Sequence, residues 1–438
     1  MKSTKKVLII TYYWPPAGGS GVQRWLKFSK YLGDFGWEPV VLTTENGSYP
    51  MLDVSLLEDV PIGLKVYRTK SFEILQLMSK FSKDKKTKAS VGMIGLSDSK
   101  SLFSKFLKFV RANFILPDAR KGWNKYAYKE AVKIIKSENI DLIVTTGPPH
   151  SSHLIGLQLK KKLNIKWIAD FRDPWINIYY NRLLPRTRLA YLIDLNLETK
   201  VVTKADHVIV VSEGLKQDLS RHKADFTVIY NGYDDSDIHL EEKNDATGKF
   251  TLAHIGNFIP DYNCPAIWNA LNEIEQEMPG FLNDFRLNFT GVVDQSAIKS
   301  IEAEGLKEYV LLNPYVPHKE ATLLMSKSNL LLFVLPKDVN NKLIISGKIF
   351  EYMASGTPIL SLGPPDGEAA YVLKKANRDL MLDYNDTEGI KNVILKYYKD
   401  WRKNRGRQFK HLGNDYKQFS RKELTRQLSE VLDRVQNS

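Results

Sequence analysis

Residues 7–44 read VLIITYYWPPAGGSGVQRWLKFSKYLGDFGWEPVVLTT, which is two β-branched runs separated by a glycine-rich turn and an amphipathic stretch. The runs at 7–11 and 38–44 predict two strands. Between them, helical spacing and its stop signals are present at Val22, Trp25, Leu26, Ser29, Leu32, Gly33 and Gly36. A strand, a helix and a second strand in succession predict one β–α–β unit with parallel strands.

The same alternation continues along the rest of the chain. Further strands of the first half are predicted at 141–146, 166–170, 207–211 and 226–230. After a polar, turn-rich stretch at 231–249, a second series is predicted at 250–256, 286–291, 309–313, 330–336 and 357–362. Because 438 residues exceed the roughly 250–300 at which a single core stops growing, we expect an α/β protein with two doubly wound parallel sheets. The expected domains are 1–240 and 241–414, with a charged helix at 415–438 packing back on the first domain.

Composition and cysteine content limit the classes to which the protein can belong. With 43% hydrophobic and 26% charged residues, the chain has the composition of a globular protein. Its one cysteine, Cys264, excludes an intramolecular disulfide framework and a cysteine-only zinc site, and it fits a reducing compartment. Because no run of about 18 apolar residues occurs, we expect a cytoplasmic protein, either soluble or peripheral on the inner face of the membrane.

The net charge of +13 comes entirely from the first half of the chain. Residues 1–240 contain 37 Lys and Arg against 24 Asp and Glu, whereas residues 241–438 contain 26 of each group. An insertion at 72–125 carries a lysine-rich run and then SLFSKFLKFVRANFIL (101–116), a basic amphipathic pattern. We expect residues 80–125 to face an anionic membrane surface, and the alternative is a helix packed on its own domain. No nucleic-acid partner is expected, because no base-reading motif is present.

A glycine-rich loop follows the first strand, in TYYWPPAGGSGVQR (11–24). Gly18, Gly19 and Gly21 would let backbone amides approach a ligand at the start of a helix, where phosphate and other anions are attracted. The loop has neither a Walker pattern nor a Gly-x-Gly-x-x-Gly fingerprint, so a plain tight turn is the alternative.

Two histidines follow another strand, in TTGPPHSSHLIG (145–156). His150 and His153 come just after the carboxyl end of the strand, where open α/β sheets bind ligands. Each could position a hydroxyl group or exchange a proton with it, or could only cap the following helix. Zinc is not expected, because no third ligand has a recognisable spacing.

Three charges end the next strand, in ADFRDPW (169–175). Asp170, Arg172 and Asp173 lie within four positions, before a proline that requires an extended turn. This density of charge indicates a functional site, and the alternative is an ion pair that holds the loop.

A fourth motif, NKLIISGKIFEYMASGTPILSLGPPDGEAAYVL (341–373), lies in the second half. Ser346 is predicted to cap a helix that carries Lys348 and Glu351 on one face. A carboxylate there can accept both hydroxyls of a ribose, and a lysine one turn earlier can meet a diphosphate. A simple i,i+3 salt bridge between the two is the alternative.

Taken together, these motifs resemble the retaining glycosyltransferases of family 4, also called glycosyl transferases group 1. The resemblance covers nearly the whole chain and is carried by WPPAGGSG, GPPHSSHLIG, ADFRDPW, VIVVSEGL with VIYNGYD, HIGNF and, most specifically, GKIFEYMASGTPIL. It implies the GT-B fold, in which two Rossmann-like domains face each other across a cleft. The chain looks most like the branch that acts in bacterial cell-surface polysaccharide synthesis.

The resemblance also implies roles for individual residues. It implies a nucleotide-sugar donor, with a UDP-sugar favoured, a glycan or lipid-linked acceptor, and neither cofactor nor metal ion. The expected catalytic residues are His150, Asp170 and Lys348. The expected donor contacts are Gly18, Gly19, Asn257, Lys348 and Glu351. The expected acceptor contacts are Arg172, Asp173 and His153.

The sequence departs from the family pattern in two places. The first glutamate of the carboxylate motif is Leu343 here, and the usual Arg and Lys are not found around Asn257 and Asn263. Lys348 and Lys342 could supply the missing positive charge. Two other functions therefore stay open, a sugar-nucleotide epimerase and a catalytically silent, membrane-surface binding subunit with the same fold.

Overall fold

The computed structural model describes residues 5–49, 51–72, 102–178, 181, 184–238, 248–337, 341–404 and 413–438. The chain forms two compact units, Met1–Asn231 with Leu424–Ser438, and Gly232–Glu423. The division falls after Asn231 rather than at 240, because Tyr233 already bonds within the second unit. Its amide donates to the Phe419 carbonyl at 3.1 Å, and its carbonyl accepts from the Arg421 amide at 2.7 Å.

The first unit is built on a parallel sheet. Its strands are β1 (Lys5–Ile10), β2 (Trp37–Thr44), β3 (Lys65–Thr69), β4 (Leu142–Gly147), β5 (Lys166–Phe171), β6 (His207–Val210) and β7 (Phe226–Val228). Within the described residues they form one sheet in the order β3-β2-β1-β4-β5-β6-β7, with every pairing parallel. The predicted strands of this half are confirmed, and β3 was not predicted.

Helices connect these strands. They are α1 (Ser20–Tyr31), α2 (Leu102–Phe114), α3 (Asn124–Glu138), α4 (Ser151–Leu163), α5 (Arg188–Lys204) and α6 (Glu213–Leu219). The helix predicted in the insertion is α2, whereas the lysine-rich run before it lies outside the described residues. In the described part of the chain, no helix combines the length and apolar character that a membrane crossing requires.

The second unit repeats the architecture. Its strands are β8 (Phe250–Ile255), β9 (Phe285–Thr290), β10 (Val310–Asn313), β11 (Leu330–Val334) and β12 (Ile359–Leu362), in the parallel order β10-β9-β8-β11-β12. Its helices are α7 (Pro265–Glu277), α8 (Phe281–Asp284), α9 (Gln295–Ala303), α10 (His318–Lys327), α11 (Lys348–Ala354), α12 (Glu368–Lys375) and α13 (Thr387–Lys403). The two parallel α/β sheets expected from the sequence are confirmed.

Burial explains why the central strands are rich in apolar residues. Every residue of β4 and of β11 is buried. In a parallel sheet covered by helices on both faces, no side of a central strand meets water, so its sequence need not alternate. In β1, Ile9 pairs with Val41 of β2 and with Val144 of β4, which places β1 at the centre of the first core.

A last helix, α14 (Arg421–Asn437), returns the chain to the first unit. The Asp433 carboxylate accepts from the Lys5 ammonium at 2.8 Å and from the Trp37 indole N–H at 3.1 Å. Both donors begin strands of the first sheet, and the side chain of Trp37 is fully buried. The carboxylate therefore fastens α14 to the amino ends of β1 and β2.

Candidate functional site

The glycine loop after β1 is held by backbone contacts. The Gly18 amide donates to the Met51 carbonyl at 2.9 Å, and a β-carbon at position 18 would come within 3.0 Å of the Asp53 side chain. Gly19 immediately precedes α1 with φ of 100°, which a residue with a side chain rarely adopts. The loop thus needs glycine at 18 for space and at 19 for its backbone angle.

The guanidinium of Arg172 lies against the first turn of α1. Its Nε donates to the Gly147 carbonyl at 3.2 Å and its Nη2 donates to the Pro148 carbonyl, which fixes its plane at the end of β4. A β-carbon at position 21 would overlap Nη1 of Arg172, so Gly21 makes room for this cation. Among the described residues Nη1 has no hydrogen-bond partner, and the next side chain, Asp173, is exposed. One edge of Arg172 is therefore available to a ligand.

Asp170 does not fit the catalytic role expected from the sequence. Its carboxylate is fully buried and accepts from Nη2 of Arg24 at 2.9 Å, from the Trp25 indole N–H at 2.7 Å and from the Thr146 hydroxyl at 2.8 Å. Arg24 also donates to the carbonyl of Ile229 at 2.8 Å. A carboxylate so enclosed has no surface for a substrate, and the structural ion pair is the arrangement found.

His150 lies in a stack of rings at the start of α4. It packs parallel to Trp175, with ring centroids 5.0 Å apart, and its Nε2 lies 3.2 Å from the Pro174 carbonyl. It does not cap α4; Asp118 does so by accepting from the amide and hydroxyl of Ser151, each at 2.8 Å. Burial lowers the pKa of His150 to about 3, so the imidazole is neutral at physiological pH.

His153 belongs to the interior rather than to an acceptor surface. It is fully buried and stacks on Phe171 at 4.5 Å, and its Nδ1 lies 2.9 Å from the Thr145 hydroxyl. The acceptor contact expected for His153 is therefore corrected to a packing and positioning role. Its Nε2 and the Nδ1 of His150 both lack a hydrogen-bond partner among the described residues, and both crowd Gly147. Burial also lowers the pKa of His153 well below its usual value.

In the second unit, two adjacent strands end in glycines with left-handed backbone. Gly256 follows β8 with φ of 112°, and Gly291 follows β9 with φ of 118°. A β-carbon at 291 would lie 2.9 Å from the carbonyl carbon of Gly256. Neither position tolerates a side chain, because the space of a β-carbon is taken by Lys348 at position 256 and by the Gly256 backbone at position 291.

Lys348, at the start of α11, reaches this edge. A β-carbon at Gly256 would overlap the Nζ and Cε atoms of Lys348, so the ammonium group rests directly on the end of β8. Burial lowers the pKa of Lys348, while the charge of Glu351 raises it. No carboxylate lies within salt-bridge distance of Lys348 among the described residues, so the i,i+3 salt bridge considered for this pair is not found. The predicted Ser346 cap is wrong; Gly347 precedes the helix and no side chain caps it.

Glu351 instead meets a residue that the sequence did not indicate. Its Oε1 lies 3.1 Å from Nε2 of His318, the first residue of α10. No spacing rule joins residues 318 and 351. Their helices, α10 and α11, precede and follow β11 in the chain, and only the folded structure brings the two side chains together. His318 is thus a site residue that sequence reasoning missed.

The remaining expected donor residues are spread more widely. Asn257 is exposed, and its Oδ1 accepts from the Val292 amide at 3.3 Å. His254, in the strand before it, is buried between the carbonyl oxygens of Leu332 and Asn257, and burial lowers its pKa to about 3. Lys342 pairs with Asp366, so it is not a free cation for a diphosphate. Lys348 is therefore the lysine best placed at this edge.

Two further observations concern metal binding and the residue at position 343. In the described ranges no group of three or more His, Cys, Asp or Glu side chains could hold a metal ion. Leu343, in place of the family glutamate, lies in a short 3-10 helix with its side chain exposed.

The first unit matches a known protein family in sequence. Residues 90–237 match the model described as Glycosyltransferase Family 4, so the resemblance seen in the motifs is confirmed. No curated protein matches the chain in sequence. The match supports sugar transfer.

Solved structures resemble the chain over almost its full length. Sucrose-phosphate synthase from Thermosynechococcus elongatus is 14% identical with a TM-score of 0.58, covering 99% of both chains. The E. coli structure described as trehalose-6-phosphate bound with UDP-2-fluoro glucose is 11% identical with a TM-score of 0.57, covering 99% of both chains. The lipopolysaccharide outer core galactosyltransferase WaaB is 11% identical with a TM-score of 0.55, covering 98% of this chain and 99% of its own. These likenesses show the GT-B fold.

Proposed function

With residues 90–237 matching the Glycosyltransferase Family 4 model and both sheets built as in the GT-B fold, we propose that the protein transfers a sugar from a nucleotide-sugar donor to an acceptor hydroxyl. The observation that carries the proposal is the ammonium group of Lys348, half-buried on Gly256 and unpaired with any carboxylate among the described residues. A half-buried cation without a counter-ion is partly desolvated, and an anionic ligand would offset that cost.

The donor diphosphate is assigned to Lys348 and the donor ribose to Glu351. The two side chains lie one turn apart on α11, which suits a ligand whose phosphates and ribose are neighbours. A carboxylate held by His318 can accept two ribose hydroxyls with its other lone pairs. Asn257 and the glycine ends of β8 and β9 would line the same edge. A uridine nucleotide is favoured, and the neighbour described with UDP-2-fluoro glucose agrees with this choice.

In the transition state the bond between sugar and diphosphate lengthens, so negative charge grows on the leaving group. Lys348 is placed to stabilise that charge, and we propose that this contact supplies much of the rate without a metal ion. The family resemblance favours retention of the anomeric configuration. His150, neutral because burial lowers its pKa to about 3, is proposed to position the backbone at Gly147 beside the reacting sugar, since its ring is buried and its Nδ1 lies against Gly147.

The acceptor is assigned to the first unit. Arg172 offers Nη1 beside Gly21, and Asp173 is exposed next to it, so a hydroxyl or an anionic group of the acceptor could bind both. Gly18 and Gly19 would hold the loop near the reacting sugar. A cell-surface glycan or a lipid-linked sugar is the proposed acceptor, and WaaB, described as acting on lipopolysaccharide outer core, agrees with this class.

Calorimetry with UDP, GDP, ADP and CMP tests the donor site. We expect one of the nucleotides to bind. Lys348→Ala should lower the affinity for its diphosphate roughly 10- to 100-fold and should lower the affinity for the matching monophosphate less. Lys299→Ala removes an exposed lysine of α9 in the same unit and is the matched control. Equal loss for diphosphate and monophosphate would show that Lys348 does not meet the diphosphate.

Acceptor dependence tests the reaction. Nucleotide release from the bound donor should rise when a membrane or glycan extract is added, and NMR of the product should show the anomeric configuration of the donor. Conversion of the donor sugar without any acceptor would favour the epimerase. Tight nucleotide binding with no turnover under any condition would favour the silent subunit that Leu343 left open.

A further inference from the structure

Two helices of the first unit expose apolar side chains. On α2, the aromatic residues Phe106 and Phe114 are 61% and 75% exposed. On the first turns of α5, Leu189, Leu192 and Ile193 are 68%, 48% and 44% exposed. Spacing of three and four places the α5 residues on one face. We call these five residues, with the exposed Phe109, the apolar surface.

Asn113 fastens the two helices to each other. Its Oδ1 accepts from the amide of Thr187 at 2.7 Å and from the Thr187 hydroxyl at 2.8 Å, and Thr187 is the residue that caps α5. Its Nδ2 donates to the Pro185 carbonyl at 2.9 Å. The exposed faces of α2 and α5 therefore belong to one rigid surface rather than to two independent segments.

The exposed charges that α2 and α5 carry, among the described residues, are of one sign. α2 contains no Asp or Glu. The carboxylates of α5, Asp194 and Glu198, are buried, where they hold Arg186 and Arg221. The exposed charges of the two helices are cations, at Lys105, Arg188, Lys200 and Lys204. An apolar face on two helices whose exposed charges, among the described residues, are cations is complementary to an anionic lipid bilayer.

The buried face of α5 leads to the candidate acceptor site. Asp194 accepts from the indole N–H of Trp175 at 2.7 Å, and Trp175 stacks on His150. The apolar surface and the ring stack therefore lie on opposite sides of one helix.

We propose that the apolar surface of α2 and α5 inserts into the interfacial layer of an anionic membrane. A second copy of the chain is a poorer occupant, because a two-fold contact would bring like charges together. This inference goes beyond the proposed function and does not depend on it, since membrane docking requires no donor and no turnover.

Vesicle co-sedimentation of the full chain, without nucleotide, tests the proposal. We expect binding to vesicles of phosphatidylcholine with phosphatidylglycerol, weaker binding to phosphatidylcholine alone, and weakening by salt. The double variant Leu189→Ser/Ile193→Ser should lower the partition coefficient roughly tenfold or more, because two aliphatic side chains no longer enter the lipid. The double variant Ile62→Ser/Leu380→Ser is the matched control, since Ile62 and Leu380 are also exposed and lie outside α2 and α5. It should bind as the wild type does.

Three results would overturn the proposal. The first is a wild type that binds neither kind of vesicle. The second is a Leu189→Ser/Ile193→Ser variant, folded by circular dichroism, that binds as tightly as the wild type. The third is a wild type that sediments as a dimer without lipid and that the same substitutions make monomeric, with no vesicle binding; the surface would then be a contact between copies. Charge is tested separately by Lys105→Gln/Arg188→Gln, which removes two of the exposed cations of these helices and should reduce the preference for anionic vesicles.

Discussion

Nε2 of His318 lies 3.1 Å from Oε1 of Glu351, and this contact joins the first residue of α10 to the first turn of α11. Neither side chain is fully buried, so the carboxylate keeps a face toward solvent while one oxygen is held. A held carboxylate loses less conformational entropy when it binds a ligand than a free one does.

The pair predicts an effect of His318→Ala on ribose recognition. Without its partner, Glu351 should rotate more freely, and the affinity for the donor nucleotide should fall roughly 3- to 10-fold. The preference for the ribonucleotide over its 2′-deoxy analogue, measured by calorimetry, should shrink. His318→Gln, which keeps an N–H donor, should recover part of both values, and Lys319→Ala is the neighbouring control. An unchanged preference for the ribonucleotide would separate His318 from ribose binding.

Gly256→Ala should damage the donor site beyond its cost in stability. Alanine at φ of 112° is strained by roughly 1–3 kcal/mol, and its β-carbon would displace the ammonium of Lys348. Gly280→Ala has a similar backbone angle, φ of 94°, but open space around it. Both variants should lower the free energy of unfolding, measured with urea, whereas only Gly256→Ala should weaken nucleotide binding. Equal nucleotide affinity in the two variants would contradict the placement of Lys348.

We expect Asp170→Asn to lower the free energy of unfolding. Breaking a fully buried ion pair leaves Arg24 without its counter-charge, at a cost of roughly 3–5 kcal/mol in the free energy of unfolding. Lys133→Met, which removes an exposed pair with Glu130, should change it little. An Asp170→Asn protein as stable as the wild type but without turnover would restore a catalytic role for the carboxylate.

Buried neutral histidines predict acid sensitivity. Burial lowers the pKa of His150 and of His254 to about 3, while an unfolded histidine has a pKa near about 6.5. The unfolded state therefore binds more protons than the folded state between these values, and stability falls as the pH drops below about 6.5. Each such histidine should cost about 1 kcal/mol between about pH 6.5 and 5.5. Denaturant unfolding at the two pH values measures this loss of stability. In His150→Gln the loss should be smaller by the contribution of one histidine. A loss as large as that of the wild type would mean that His150 is protonated in the folded state.

The strand pattern of both sheets could be predicted from local sequence because central parallel strands contain short continuous apolar runs, LIV in β4 and LLLFV in β11. β3 was missed because its sequence, KVYRT, is half polar and its side chains are partly exposed at the edge of the sheet. The edge strands β7 and β10 are also partly exposed, and they were predicted because FTV and VLLN are more apolar than KVYRT.

The candidate sites were predictable as regions but not as contacts. The predicted strand ends located His150 and Arg172 at the edge of the first sheet. Lys348 was predicted only as a helix residue, and its contact with Gly256 at the end of β8 was not. The partners of the charged groups were not visible, because Asp170 meets Arg24 across 146 positions of sequence. A charge at a strand end can serve a ligand or the fold, and only the three-dimensional neighbours decide which.

The path of α14 has a consequence for dissecting the protein into fragments. The helix starts in the second unit and finishes in the first, where Asp433 occupies the indole N–H of Trp37. A fragment cut after Asn231 would therefore lack residues 424–438, which pack on this unit, even though it contains all the described strands of its sheet. Independent expression of the first unit requires residues 424–438 to be grafted back, and the boundary of this unit is set by packing rather than by chain order.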